Sequence, residues 1–74
     1  MEVEPLGEMN TEVRNEITEA AELAGFEWVD ATGSRCFFED GNLDLLQSIA
    51  SRVASRHSGH SASVSRVQDP GLGL

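Results

Sequence analysis

The chain has 74 residues, enough for one domain, and its 13 acidic side chains against five arginines give a net charge of −8. That charge disfavours direct binding of nucleic acid or anionic membrane and favours basic protein surfaces. Cys36 is the only cysteine, so no internal disulfide forms, and two histidines with one cysteine are too few for a closed structural zinc site.

A core this small leaves stability marginal without such staples, so dimerisation or docking on a partner is expected to supply part of it. The lone thiol favours a reducing compartment, no long apolar run is present, and the N-terminus lacks a basic segment before an apolar one. The expectation is a cytoplasmic protein without a membrane span or signal peptide. The charge is also segregated. Residues 1–44 hold twelve acids and two arginines, a net of −10, whereas residues 45–74 hold one acid and three arginines, a net of +2.

Residues 1–9 read as an acidic N-terminal arm, because Pro5 and Gly7 interrupt regular structure. Residues 10–67 read as a single α+β domain and residues 68–74 as a mobile tail. The first helix is predicted over 11–24, with Asn10 as its cap and Gly25 as its terminator. Val13, Ile17, Ala20 and Ala24 supply its apolar face.

Two strands follow, 26–31 and 34–39, joined by a turn at Thr32-Gly33. That register sets Trp28 opposite Phe37 and Asp30 opposite Arg35, and leaves Val29, Cys36 and Phe38 on the other face. The second helix is predicted over 43–58, capped by Asn42 and ended by Gly59, with Leu46, Ile49, Ala50, Val53 and His57 as its stripe. Ala62–Val67 has the alternation of an edge strand. The resulting fold is α+β in the order α-β-β-α, two helices on a β-hairpin or a three-stranded antiparallel sheet. Its expected core is Val13, Ile17, Ala20, Ala24, Phe26, Trp28, Phe37, Leu46, Ile49 and Val53.

The first helix carries the sharpest functional pattern. Glu12, Glu16, Glu19 and Glu22 fall within a band of roughly 120° and about 15 Å along it. Like charges at i, i+4 each cost about 0.2–0.5 kcal/mol, and a helix selected for stability alone would intersperse cations. The band is a negative ridge suited to a cationic groove, with Glu27 and Asp30 as extensions. Asp40-Gly-Asn42-Leu-Asp44 opens like a calcium loop, but Leu45 and Ser51 stand where Gly and a bidentate Glu are needed, so it reads as a turn and helix cap. No phosphate loop, nucleophile elbow or zinc-protease helix occurs, so no catalytic residue, metal ligand or cofactor is assigned.

In size and charge the chain resembles the small acidic inhibitors, many of them phage-encoded, that block nucleic-acid-handling machines; anti-CRISPR proteins and other DNA mimics belong to this type. The type has no shared motif, so the resemblance implies a mode of action and no residue roles. The leading expectation is a non-enzymatic acidic inhibitor or nucleic-acid mimic that docks its glutamate ridge on a basic groove of a nucleic-acid-binding complex. The alternative is a structural or regulatory adaptor that binds through apolar sheet residues, Val29 and Phe38, as a homodimer.

Overall fold

A computed structural model describes residues 1–66. The elements run β1 (Glu2–Leu6), α1 (Asn10–Leu23), β2 (Trp28–Thr32), β3 (Arg35–Phe38), α2 (Leu43–Ser55) and β4 (Ser61–Ser65). The strands form one antiparallel sheet in the order β2-β3-β1-β4. This is a doubled split β-α-β unit, the connectivity of the ferredoxin-like folds. The α+β reading and the two helices stand; the sheet has four strands where the sequence suggested two or three. The tail expected at 68–74 lies outside the described residues.

The largest correction concerns residues 1–9. They are not an arm: they hold β1, which lies between β3 and β4. Pro5 is tolerated there for a geometric reason. Met1 donates its N–H to Phe38 O at 2.5 Å and accepts from Phe38 N–H at 2.8 Å, so the odd-numbered residues of β1 turn their backbone groups toward β3. Pro5 therefore directs its missing N–H to the β3 side, past the last β1–β3 pair, Val3–Cys36, where the ladder loses no bond. Its side chain falls on the same face as Val3, against the helices, and both are buried.

The hairpin register differs as well. Thr32 pairs with Arg35, so the turn residues are Gly33 and Ser34. Gly33 has φ 61° and Ser34 does not have positive φ, the pattern of a type II′ turn, which needs glycine first. The ladder then sets Ala31 opposite Cys36 and Asp30 opposite Phe37, and a bulge at Val29 brings Trp28 opposite Phe38. The shift inverts the expected core face. Cys36 and Phe38 face the helices and are buried, at 0% and 2% exposure. Trp28 is 45% exposed, and Phe37 is half-buried on the open face. An apolar docking surface built on Val29 and Phe38 does not exist, because Phe38 is core and only Val29 is exposed.

Both helices lie on one face of the sheet. The buried residues of α1 are Val13, Ile17 and Ala21; Ala20 is half-buried at the edge of this stripe, and Ala24 is exposed beyond the last turn. Asn42 caps α2 by accepting from Leu45 N–H at 3.1 Å. Leu46, Ala50, Val53 and Ala54 are the buried residues of that helix. It ends at Ser55, three residues before the expected boundary, so His57 sits in the following turn. The core joins these residues to Val3, Cys36 and Phe38, with Phe26 edge-on to Phe38 at 6.4 Å between ring centroids.

Phe38→Ala is expected to cost about 3–5 kcal/mol, the range for deleting a fully buried aromatic. Trp28→Ala is expected to cost about 1 kcal/mol, as for a side chain that keeps much of its surface in water. Urea denaturation of the two variants checks this ranking, and the reverse order would mean that Trp28, not Phe38, is the buried aromatic of this pair.

Candidate partner-binding surface

The outward side of α1 follows from its buried side. With Val13, Ile17 and Ala21 facing the sheet, the turns of the helix bring Glu12, Glu19 and Glu22 to the opposite side. All three are exposed and have no cation within ion-pair distance among the described residues. Arg14 projects elsewhere: it hydrogen-bonds Gly33 O in the β2–β3 turn and Asn15 Oδ1.

Glu16, expected as part of the free ridge, is committed within the fold. Its Oε2 lies 2.5 Å from His57 Nε2, which ties the middle of α1 to the turn after α2. His60, three residues on, accepts Met9 N–H at Nε2 (2.9 Å) and donates from Nδ1 to Ser58 O (3.0 Å). This ring substitutes for a side-chain cap, which Met9 lacks at the start of α1. A Cβ on Gly7 would clash with it, and Gly7 has φ 142°, so both space and backbone call for glycine there.

The other two predicted residues lie apart from the ridge. Asp30 is on the open face of the sheet and accepts Ala31 N–H at 2.8 Å. Glu27 is in the α1–β2 segment, where its carbonyl accepts Glu39 N–H at 2.9 Å, beside a cleft that Glu39 and Asp40 also line. The structure thus brings together Glu12, Glu19 and Glu22, holds Glu16 at the edge of that group, and separates Glu27 and Asp30 from it. The open face has its own acids: Arg35 lies 3.8 Å from Glu2 and 3.3 Å from Glu4.

One feature was missed from the sequence. Leu23 is 91% exposed beside Glu19 and Glu22, and it overhangs a groove between the helices floored by Ala20, Ile49 and Val53. Helical projection sets it within about 40° of Glu19, so its place on the ridge was readable. The i, i+4 spacing of Arg52 and Arg56 on α2 already marks a minor basic patch; the structure adds that they form the far wall of that groove, both exposed and without an ion-pair partner among the described residues. Among those residues no three His, Cys, Asp or Glu side chains gather into a metal-binding group, and no helix is long and apolar enough to cross a membrane.

Cys36 is buried beneath α1. Burial raises its thiol above the ordinary value, partly offset by the Thr18 hydroxyl and the Arg14 charge. The folded state therefore favours the neutral thiol, and the stability this contributes is whole below the unfolded thiol's titration and lost as pH rises through the folded one. Wild-type stability is expected to fall more steeply than that of Cys36→Ala between about pH 8 and 10, as read by urea midpoints. Native Cys36 is expected to react slowly with a thiol reagent; rapid labelling would place it at the surface. No protein-family model, curated protein or solved structure matches this chain.

Proposed function

We propose that this protein is a non-enzymatic acidic binding protein that docks the outer face of α1 on a basic groove of a nucleic-acid-handling protein, in place of the nucleic acid. The observation that carries the reading is the exposure of Glu12, Glu19 and Glu22 on one helical face with no internal cation to neutralise them. Glu19 and Glu22, three apart on the helix, are separated by about 6 Å, a spacing of the same scale as successive phosphates on a strand, and Glu12 lies about 10 Å further along the same face. Channels that hold single strands are lined by Lys and Arg. An occupant of such a channel needs a row of fixed negative charges more than a particular shape. Glu16 takes a supporting role in this reading, since its carboxylate is already bound to His57.

The test is displacement of a fluorescent oligonucleotide from a panel of nucleic-acid-binding proteins with basic channels, at low and moderate salt. The wild-type chain is expected to displace it from at least one, with potency falling steeply as salt rises. Glu12→Arg with Glu19→Arg is expected to weaken displacement by about 1–3 kcal/mol, roughly ten- to a hundredfold. Both substitutions keep good helix formers, and the helical circular-dichroism signal serves as folding control. The same reversal at Glu39 and Asp44, off this face, is expected to change displacement less than about threefold. Unchanged displacement by the folded Glu12/Glu19 variant would remove the reading.

A further inference from the structure

Of the surfaces this fold offers to a partner, three are closed or poorly matched. The outer edge of β4 is filled by one side chain: Gln47 on α2 accepts Val64 N–H at Oε1 (2.9 Å) and donates from Nε2 to Ala62 O (3.0 Å), occupying the backbone groups a further strand would need. The opposite edge, β2, is interrupted by the bulge at Val29, and Asp30 takes the N–H of Ala31. The open sheet face carries Glu2, Glu4 and Asp30 against Arg35 alone, so two such faces would bring like charges together. The helix layer differs: one helix presents free carboxylates, the other free guanidiniums, and an apolar groove with an exposed leucine runs between them.

We propose that the helix layers of two copies of this chain pack face to face, α1 of each on α2 of the other, so that Glu19 and Glu22 meet Arg52 and Arg56 of the second copy around Leu23. This rests on the reading of the α1 outer face as a docking surface and names a second copy as an occupant of it. Symmetry and charge together fix the arrangement. A two-fold axis across the helices would set α1 on α1 and oppose glutamates to glutamates. A two-fold axis parallel to the helices sets α1 on α2. Because Leu23, Arg52 and Arg56 line one groove within a chain, that operation keeps the acidic turns of one helix level with the basic turns of the other. Close approach is open on the α2 side at Ser48, Ser51 and Ser55, while its other exposed residues, Asp44 and Leu45, lie in its first turn at the opposite end from Arg52 and Arg56. Leu23 then leaves water for the partner's groove beside Ile49. Self-association would compete with the nucleic-acid-binding partner for the same face.

Each copy carries −8, so long-range repulsion and local attraction respond oppositely to salt, and charge complementation discriminates better than ionic strength. Sedimentation velocity across a micromolar concentration series is the measurement. Wild type is expected to dimerise, and Leu23→Ala to weaken the dimer about tenfold. Arg52→Glu with Arg56→Glu, and Glu19→Arg with Glu22→Arg, are each expected to be monomeric alone. Mixed, they are expected to form a heterodimer, because every carboxylate again faces a guanidinium; this recovery also shows that both variants are folded. A wild type that stays monomeric at every concentration overturns the proposal, as does a dimer that persists in both variants. The Arg52/Arg56 variant leaves the α1 carboxylates in place, so its oligonucleotide displacement reports on the docking reading separately from the loss of the dimer.

Discussion

The fold depends on β1 taking its place between β3 and β4 with an alternating sequence. Val3 is fully buried and pairs with Cys36 on one side and Val64 on the other, so one short strand joins the β2–β3 hairpin to the C-terminal strand. Without it the sheet separates into a hairpin and a lone edge strand, neither stable alone. The alternation Glu2-Val3-Glu4-Pro5 also decides the chemistry of the two faces. Val3 and Pro5 close the core under the helices, while Glu2 and Glu4 fall on the open face and meet Arg35.

Placement of β1 propagates to both helices. The segment after it is turned by Gly7 against His60, and His60 receives Met9 N–H at the start of α1. The neighbouring His57 donates from Nε2 to the Glu16 carboxylate. Two histidines from the α2–β4 turn thereby fasten the first helix in position and rotation, with its remaining glutamates directed outward. A residue that looked like part of a docking ridge is thus also part of the clamp that orients it.

The same architecture restricts how the molecule meets others. Gln47 fills one sheet edge and the bulge with Asp30 blunts the other, which limits strand addition, the commonest hazard of an open four-stranded sheet. What stays accessible is the helix layer, with acid on α1, base on α2 and Leu23 between them. A connectivity shared by proteins of many functions carries little functional information, so the weight falls on these side chains.

Both helices were legible in the sequence because 3.6-residue periodicity is a short-range property: Val13 and Ile17, or Leu46 and Val53, mark a buried face wherever the helix docks. The Asn42 cap of α2 was legible too, whereas the expected Asn10 cap of α1 was not borne out: Met9 holds the capping position and Asn10 lies inside the helix. The glutamate band on α1 was legible from the same periodicity. The sheet was not. A strand reveals which residues share a face but not which face is covered, so Phe37 competed with Cys36 and Phe38 until helix docking decided for the latter, and the bulge at Val29 took Trp28 out of register with Phe37. Pro5 and Gly7 signalled a break locally, yet Pro5 costs β1 no hydrogen bond once its missing N–H lies past the end of the β3 ladder. The pairing of Glu16 with His57, 41 residues apart, is likewise set by the approach of two helices. Sequence by itself determined the periodic elements and the sign of the α1 surface; the tertiary structure alone decided strand order, the covered face and which carboxylates stay free, because those depend on contacts between segments far apart in the chain.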